Sequence, residues 1–289
     1  MNDLVVRPFH PADFPAFFNL AGQPGEEGHH LLPNPDGDGG PMLVLAQGDQ
    51  LLGYATARPL PGLDRHLELA LFIVPAGRRR GYGQRLLQAL LAQLQQTSTR
   101  LVSCPVPALD SPAGLFLQRQ QFFLEHEEWQ MVRDLANLPV VQPPAGYSLT
   151  SYPRHQAIAH FRRLYELAFA GEPSYQPYDS DIEVDMALAH STDLLFLTHR
   201  AEPIGFAWAR YVTPVLGELE PLGVAAAYQG KGLGRVLLPA GLHHLAGRGH
   251  QQARLGVWAD NARAIRLYRQ FGFQRTSSRC FLAYQLRAE

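Results

Sequence analysis

Lysine is nearly missing from this chain. Lys231 is the only one, and arginine carries the rest of the fixed positive charge. Cysteine is scarce as well: Cys104 and Cys280 alone cannot build a disulfide framework. Neither has a base at motif distance, so both read as small buried apolar residues. Charge of one sign is not in excess, the formal net charge being −1. That balance argues against nucleic acid or an anionic membrane as the main partner. No apolar run approaches the roughly 18 to 20 residues that span a bilayer. The opening Met1-Asn2-Asp3-Leu4-Val5-Val6-Arg7 lacks a cationic stretch followed by a long apolar one. No membrane segment or secretory signal is therefore expected, and a cytoplasmic location is the default. Metal-ligand spacing is lacking too: His29-His30 and His243-His244 are adjacent pairs without a cysteine cluster, so no metal is expected.

What is present is an ordinary globular composition, 46% hydrophobic and 18% charged over 289 residues, enough for one large domain or two smaller ones. Short apolar runs alternate with stretches of helical periodicity, which predicts an α/β (α+β) fold. The same order of elements occurs twice. Arg78-x-x-Gly81-x-Gly83 matches Gln229-x-x-Gly232-x-Gly234 at an offset of 151, and Phe122-Phe123 matches Gly272-Phe273 at an offset of 150. Two distant landmarks agreeing within one residue mark an internal repeat. Pro139, Pro143 and Pro144 fall between the copies and disfavour both helix and central strand. The expected division is a domain over 1–138, a linker over 139–146 and a second domain over 147–289. Gly22 to Pro41 should be loop.

The most informative stretch is Gln229-Gly230-Lys231-Gly232-Leu233-Gly234-Arg235, set between an extended segment and an apolar helix. Glycines allow close backbone approach, and the free N–H groups of a helix's first turn suit phosphate oxygens. A Walker loop needs Ser or Thr after Gly-Lys, where this chain has Gly232. A dinucleotide fingerprint needs a third glycine after Gly232-Leu233-Gly234 and a position after the first strand; neither is found. Val224 five residues before Gln229, and a helix from Asp260-Asn261 through Ala264, Leu267 and Tyr268 to Phe271-Gly272-Phe273, complete a wider pattern. That pattern resembles the GNAT acetyltransferase superfamily, with its Gln/Arg-x-x-Gly-x-Gly/Ala loop after the fourth strand and Asn-to-Tyr helix after the fifth. The resemblance covers nearly the whole chain twice, as in tandem two-domain GNAT proteins, and implies for each domain a mixed, mostly antiparallel sheet flanked by helices. The stretch from Leu216 through Val224 and the loop is especially similar to the C-terminal half of a two-GNAT enzyme.

The resemblance implies acetyl-CoA as donor and a primary amine of a small molecule as acceptor. Gln229, Gly230, Lys231, Gly232, Leu233, Gly234 and Arg235 would hold the pyrophosphate. Leu222, Gly223 and Val224 would pair with the pantetheine arm, with Asn261 either holding that arm or only capping its helix. Acetyl transfer needs a neutral amine, and free alkyl amines are mostly protonated near neutral pH, so a carboxylate that takes the proton is useful. Glu218 and Glu220 share one strand face by their two-residue spacing. The resemblance puts the base at Glu218, six residues before Val224, with Glu220 in reserve, and the general acid at Tyr268. A backbone N–H near Val224 would polarise the thioester carbonyl.

The first copy departs where chemistry is concerned. Its loop, Arg78, Arg79, Arg80, Gly81 and Gly83, is intact and more cationic, but Gln118 stands for Tyr268, Ser111 for Asn261 and Leu67 for Glu218, with Glu68 one residue out of phase. CoA binding remains open to that half, and catalysis is not expected of it. Between Arg163 and Arg200 there is no basic residue other than histidine, but Glu166, Glu172, Asp179, Asp181, Glu183 and Asp185 occur; these read first as surface and helix-start charges, second as an acidic mouth for a cationic amine. The expected protein is a monomer or homodimer. A non-catalytic acyl-CoA sensor or partner-binding module is the rival reading, and Glu218 with Tyr268 distinguishes the two.

Overall fold

A computed structural model describes residues 3–21, 40–172, 175–178 and 180–287. The expected loop, apart from Gly40 and Pro41, lies outside the described residues, as do His29-His30 and Asp179. The chain divides into two compact units, Met1–His126 with Cys280–Glu289, and Glu127–Arg279.

In the first unit the strand order is β1 (Leu4–Pro8), β2 (Met42–Gln47), β3 (Gln50–Pro59), β4 (His66–Ile73), β5 (Leu101–Val106) and the end of β12 (Gln274–Gln285). Helix α2 (Tyr82–Leu94) covers one face because Leu86, Leu87, Leu90, Leu91 and Leu94 recur at helical spacing and are all buried. Phe17 of α1 (Phe14–Ala21) packs with Tyr54 and Phe72 on the other. In the second unit the order is β7 (Tyr147–Thr150), β8 (Leu194–His199), β9 (Glu202–Tyr211), β10 (Leu216–Val224), β11 (Gln252–Trp258) and the greater part of β6 (Phe123–Asp134). Helix α6 (Gly234–Gly247) buries Val236, Leu237, Leu238, Leu242 and Leu245 on one face. Helix α4 (Arg154–Phe169) buries Ile158, Phe161 and Leu164 against Phe196, Phe206 and Trp208 on the other. Helices α3 (Pro112–Arg119), α5 (Asp181–Ala187) and α7 (Ala262–Gln270) complete the set.

The unit boundaries differ from the expected 1–138 and 147–289. Glu128 to Asp134 of β6 pair antiparallel with Trp258 to Gln252 of β11, and Met131 is fully buried in the second unit's core. Reciprocally, Cys280 to Gln285 of β12 pair with Val106 to Leu101 of β5, and Leu282 is fully buried in the first unit's core. Each repeat therefore receives its last strand from the far end of the other repeat's sequence. An unpaired strand edge is satisfied equally well by either copy, so hydrophobic patterning alone does not say which copy supplies it.

Parallel pairing occurs between β4 and β5 and between β10 and β11, in each case over a short stretch: His66–Glu68 with Leu101–Ser103, and Leu216–Glu218 with Gln252–Arg254. Beyond it the two strands part. The register also corrects the alignment of the copies. Glu68 lies opposite Arg58 and Ser103, as Glu218 lies opposite Arg210 and Arg254, so Glu68 and not Leu67 is the counterpart of Glu218. The difference comes from a bulge: the β9–β10 register slips between Leu219 and Leu222, whereas β3–β4 pairs without a break. The extra residue in β10 shifts the repeat offset from 150 to 151 on its way into the glycine loop.

Candidate active site

The parting of β10 and β11 opens a cleft of about 790 Å³ in the second unit. One wall is the end of β10, Leu222, Gly223 and Val224. The floor is the loop and first turn of α6, Gln229, Gly230, Gly232, Leu233, Gly234 and Arg235. The far wall is Trp258 with the start of α7, Asp260 to Ala264, then Arg266, Leu267, Tyr268 and Gln270. Ala168, Phe169 and Glu172 close it from the α4 side.

The loop is shaped for an anion. Gly230 and Gly232 have φ of 79° and 74°, the left-handed region that glycine enters without penalty. A Cβ on Gly230 would meet nothing within 4 Å, so space beside that backbone is open to a ligand. Among the described residues, no backbone or side-chain acceptor is recorded for the N–H groups of Gly230 to Gly234. Gln229 fixes the entry to the loop: its Nε2 donates to the Val224 carbonyl at 3.0 Å, and its Oε1 accepts from Arg263 Nη1 at 3.2 Å. Its role is thus partly to tie the loop to β10. Lys231 alone of the run from Gln229 to Arg235 is not on the wall; its Nζ lies 4.8 Å above the Tyr228 ring. Asn261 caps α7 through Oδ1, which accepts from the Ala264 N–H at 3.0 Å, and it also lies on the cleft wall. A pyrophosphate-bearing donor fits this arrangement of glycines, free N–H groups and flanking Arg235, Arg263 and Arg266.

The two glutamates, expected as base and reserve, sit in different surroundings. Glu218 is clamped between two arginines: Oε1 accepts from Arg254 Nε at 2.8 Å and Oε2 pairs with Arg210 Nη2 at 2.7 Å, so both carboxylate oxygens are engaged. Glu220 is different. Its Oε2 accepts a single bond from the Gly256 N–H at 2.9 Å. Burial pushes its carboxyl up to about 7, the Glu218 and Glu128 charges adding to the effect while the Gly256 N–H and Arg210 oppose it. Neither glutamate lies on the cleft wall. Tyr268 does, with its ring 5.9 Å from that of Phe273, and burial together with the Glu220 charge holds its phenol protonated well above the ordinary tyrosine range.

Other expectations resolve as structure. His243 Nε2 lies 3.2 Å from the Pro139 carbonyl and His244 Nε2 lies 3.0 Å from Asp193. Cys104 is pushed up to about 12 by burial. Of the acids after Arg163, Asp181 and Asp185 are paired with Arg162 and Arg154, Glu166 accepts from the Tyr175 hydroxyl, and Glu172 reaches the cleft. In the first unit, Arg79 and Gly81 repeat the positive φ of the second loop (60° and 80°). That unit has no bulge in β4, and Gln118 donates to the Leu109 and Gly114 carbonyls rather than standing free.

The sequence reading missed Glu128, Arg210, Arg254 and Gly256. Glu128 belongs to this site only because β6 crosses to the second unit. Gly256 was visible as a glycine inside a strand, which marks a close approach: a Cβ there would lie 2.5 Å from Glu128 Oε1 and 3.1 Å from Glu220 Oε2. Among the described residues, no helix is long and apolar enough to cross a membrane and no group of His, Cys, Asp or Glu is placed to hold a metal.

Comparison with known proteins bears on this geometry. A family model described as Acetyltransferase (GNAT) family matches residues 8–122 and 158–273. The mycothiol acetyltransferase of Actinosynnema mirum is 31% identical over 260 residues, covering 87% of this chain and 86% of the relative. That of Amycolatopsis mediterranei is 33% identical over 272 residues, covering 88% and 87%. Among solved structures, a GCN5-related N-acetyltransferase from Sphaerobacter thermophilus aligns with a TM-score of 0.70 at 20% identity, covering 99% of this chain and 96% of that one. A tandem GNAT protein from the clavulanic acid biosynthesis pathway aligns with a TM-score of 0.69 at 18% identity, covering 99% and 100%. At those identities the two structures speak to the fold, a tandem GNAT arrangement over the full length.

Proposed function

Because the chain belongs to the GNAT acetyltransferase family, and is therefore an N-acetyltransferase, we propose that it transfers an acetyl group to the primary amine of a small molecule at the second unit's cleft. GNAT acetyltransferases use acetyl-CoA, which supplies the acetyl thioester. Gly230 to Arg235 would hold its pyrophosphate, Leu222 to Val224 its pantetheine arm, and Asn261 the far side of that arm. Val224 lies where β10 has parted from β11, so its main chain is available to the donor's carbonyl.

Glu220 takes the proton from the acceptor ammonium through a water, since it stands behind the wall rather than on it. The freed amine attacks the thioester carbonyl, the carbon–sulfur bond breaks, the Tyr268 phenol gives its proton to the departing sulfur, and the proton that the attacking nitrogen sheds on becoming an amide returns Tyr268 to its phenol form. The observation that carries this reading is the pairing of a carboxylate tuned to about 7 with a phenol kept protonated. A base poised near the working pH combines the right protonation state with enough basicity. Glu218, held by Arg210 and Arg254, keeps those arginines from neutralising Glu220. The first unit keeps the loop's backbone shape without the bulge or the tyrosine, and we assign it no catalytic role.

The test is a panel of small primary amines, mycothiol-type amines included because of the relatives' name, with release of the CoA thiol as readout. Transfer to some member is expected, reduced strongly in Tyr268→Phe while acetyl-CoA still binds. Full activity in both Tyr268→Phe and Glu220→Gln would overturn the assignment.

A further inference from the structure

Gly256 sits between two carboxylates from different strands. Glu220 reaches it from β10 and bonds its N–H, while Glu128 reaches it from β6. The point where a Cβ would stand is 2.5 Å from Glu128 Oε1 and 3.1 Å from Glu220 Oε2, so any other residue would push these groups away. The short distance to Glu128 involves the end of a flexible side chain rather than backbone. The glycine is thus not demanded by its own backbone, since its φ is not among the positive values. Glu128 is half-buried and is the first residue of the strand's pairing with β11, opposite Trp258 on the cleft wall.

We propose that Glu128 is a positioning residue of the transfer reaction, its carboxylate set across Gly256 from Glu220 so that Glu220 stays a proton acceptor rather than a fixed anion. This rests on the reading of Glu220 as the base. Other groups act on Glu220 from every side: Glu218 on its own strand, Arg210 on β9, the Gly256 N–H on β11, Tyr268 on α7, Tyr165 on α4 and Tyr178 ahead of α5. Glu128 in turn is acted on by Arg279, which favours its anion, and by Glu218, which opposes it; burial is the largest influence and raises it. Glu128 is the only one of the carboxylates supplied from before the proline-rich segment, so the first repeat's sequence contributes to the second unit's chemistry.

The test needs no acceptor. The full chain is labelled with ¹³C at the glutamate side-chain carboxyl and titrated by NMR, the Glu220 signal being the one lost in Glu220→Gln. Its midpoint is expected near 7 in the wild type. In Glu128→Gln, which removes a nearby negative charge without changing shape, the midpoint should fall by about half a pH unit or more. Glu128→Ser, which removes the same charge and leaves the Gly256 N–H bond to Glu220 untouched, should move it the same way and serves if Glu128→Gln does not fold. An unmoved midpoint in the folded variant overturns the inference. If instead Glu220→Gln retains amine transfer, the base assignment falls and this inference with it; loss of transfer with an unmoved midpoint removes this inference alone.

Discussion

Glu218 and Glu220 differ by two residues and by their chemistry. Replacing Glu220 with Gln removes a carboxylate poised near neutrality and should lower turnover about 100-fold or more, the range for a lost general base, at unchanged acetyl-CoA affinity. Glu218→Gln should act differently. It leaves Arg210 and Arg254 short of an acceptor, which costs about 1 kcal/mol of stability and brings uncompensated positive charge near Glu220; the acid limb of the rate profile should then move to lower pH. Thermal melts and pH profiles on both variants separate the two effects. Glu220 also has a stability signature. A carboxyl raised from 4.5 to about 7 in the folded state destabilises the fold as pH rises through that interval. Relative to wild type, Glu220→Gln should therefore gain stability between pH 5 and pH 8, by up to about 3 kcal/mol. A melting-temperature difference that does not grow with pH would contradict the raised carboxyl.

At the scale of elements, the glycine loop and the β10 bulge do separate work. The loop holds its shape through left-handed backbone at Gly230 and Gly232. Gly232→Val places a β-branched side chain where L residues are strained and should weaken acetyl-CoA binding about tenfold or more, as read by equilibrium titration, with little effect on turnover at saturation. The bulge changes which way the strand's later side chains point, and only the second repeat has it. Much of this was legible in sequence. The loop motif, the Asn261-to-Tyr268 helix and the leucine spacing of α2 and α6 are local patterns, and local patterns survive into the fold. The difference in surroundings between Glu218 and Glu220 was not legible, because it depends on Arg210 and Arg254, which reach Glu218 from neighbouring strands. The matching of Leu67 to Glu218 failed for a related reason: a bulge inserts a residue without any signature that distinguishes it from an ordinary strand.

At the scale of the whole molecule, the strand exchange ties both repeats together in sequence. A reading by repeats places β6 with the first half and β12 with the second; pairing and burial place Glu128–Asp134 in the second unit and Cys280–Gln285 in the first. Leu282→Ala empties a fully buried position of the first unit's core and should cost about 2 to 5 kcal/mol, seen as faster hydrogen exchange in β4 and β5 with β10 and β11 little changed. Protection lost in β10 and β11 instead would contradict the exchange. The central claim is acetyl transfer in the second unit with Glu220 as base, and the dependence of kcat/KM on pH tests it most directly. An acid limb near pH 7 is expected in the wild-type chain and should disappear in Glu220→Gln, leaving a low, flat rate; an acid limb persisting in Glu220→Gln at wild-type height would rule Glu220 out as the base.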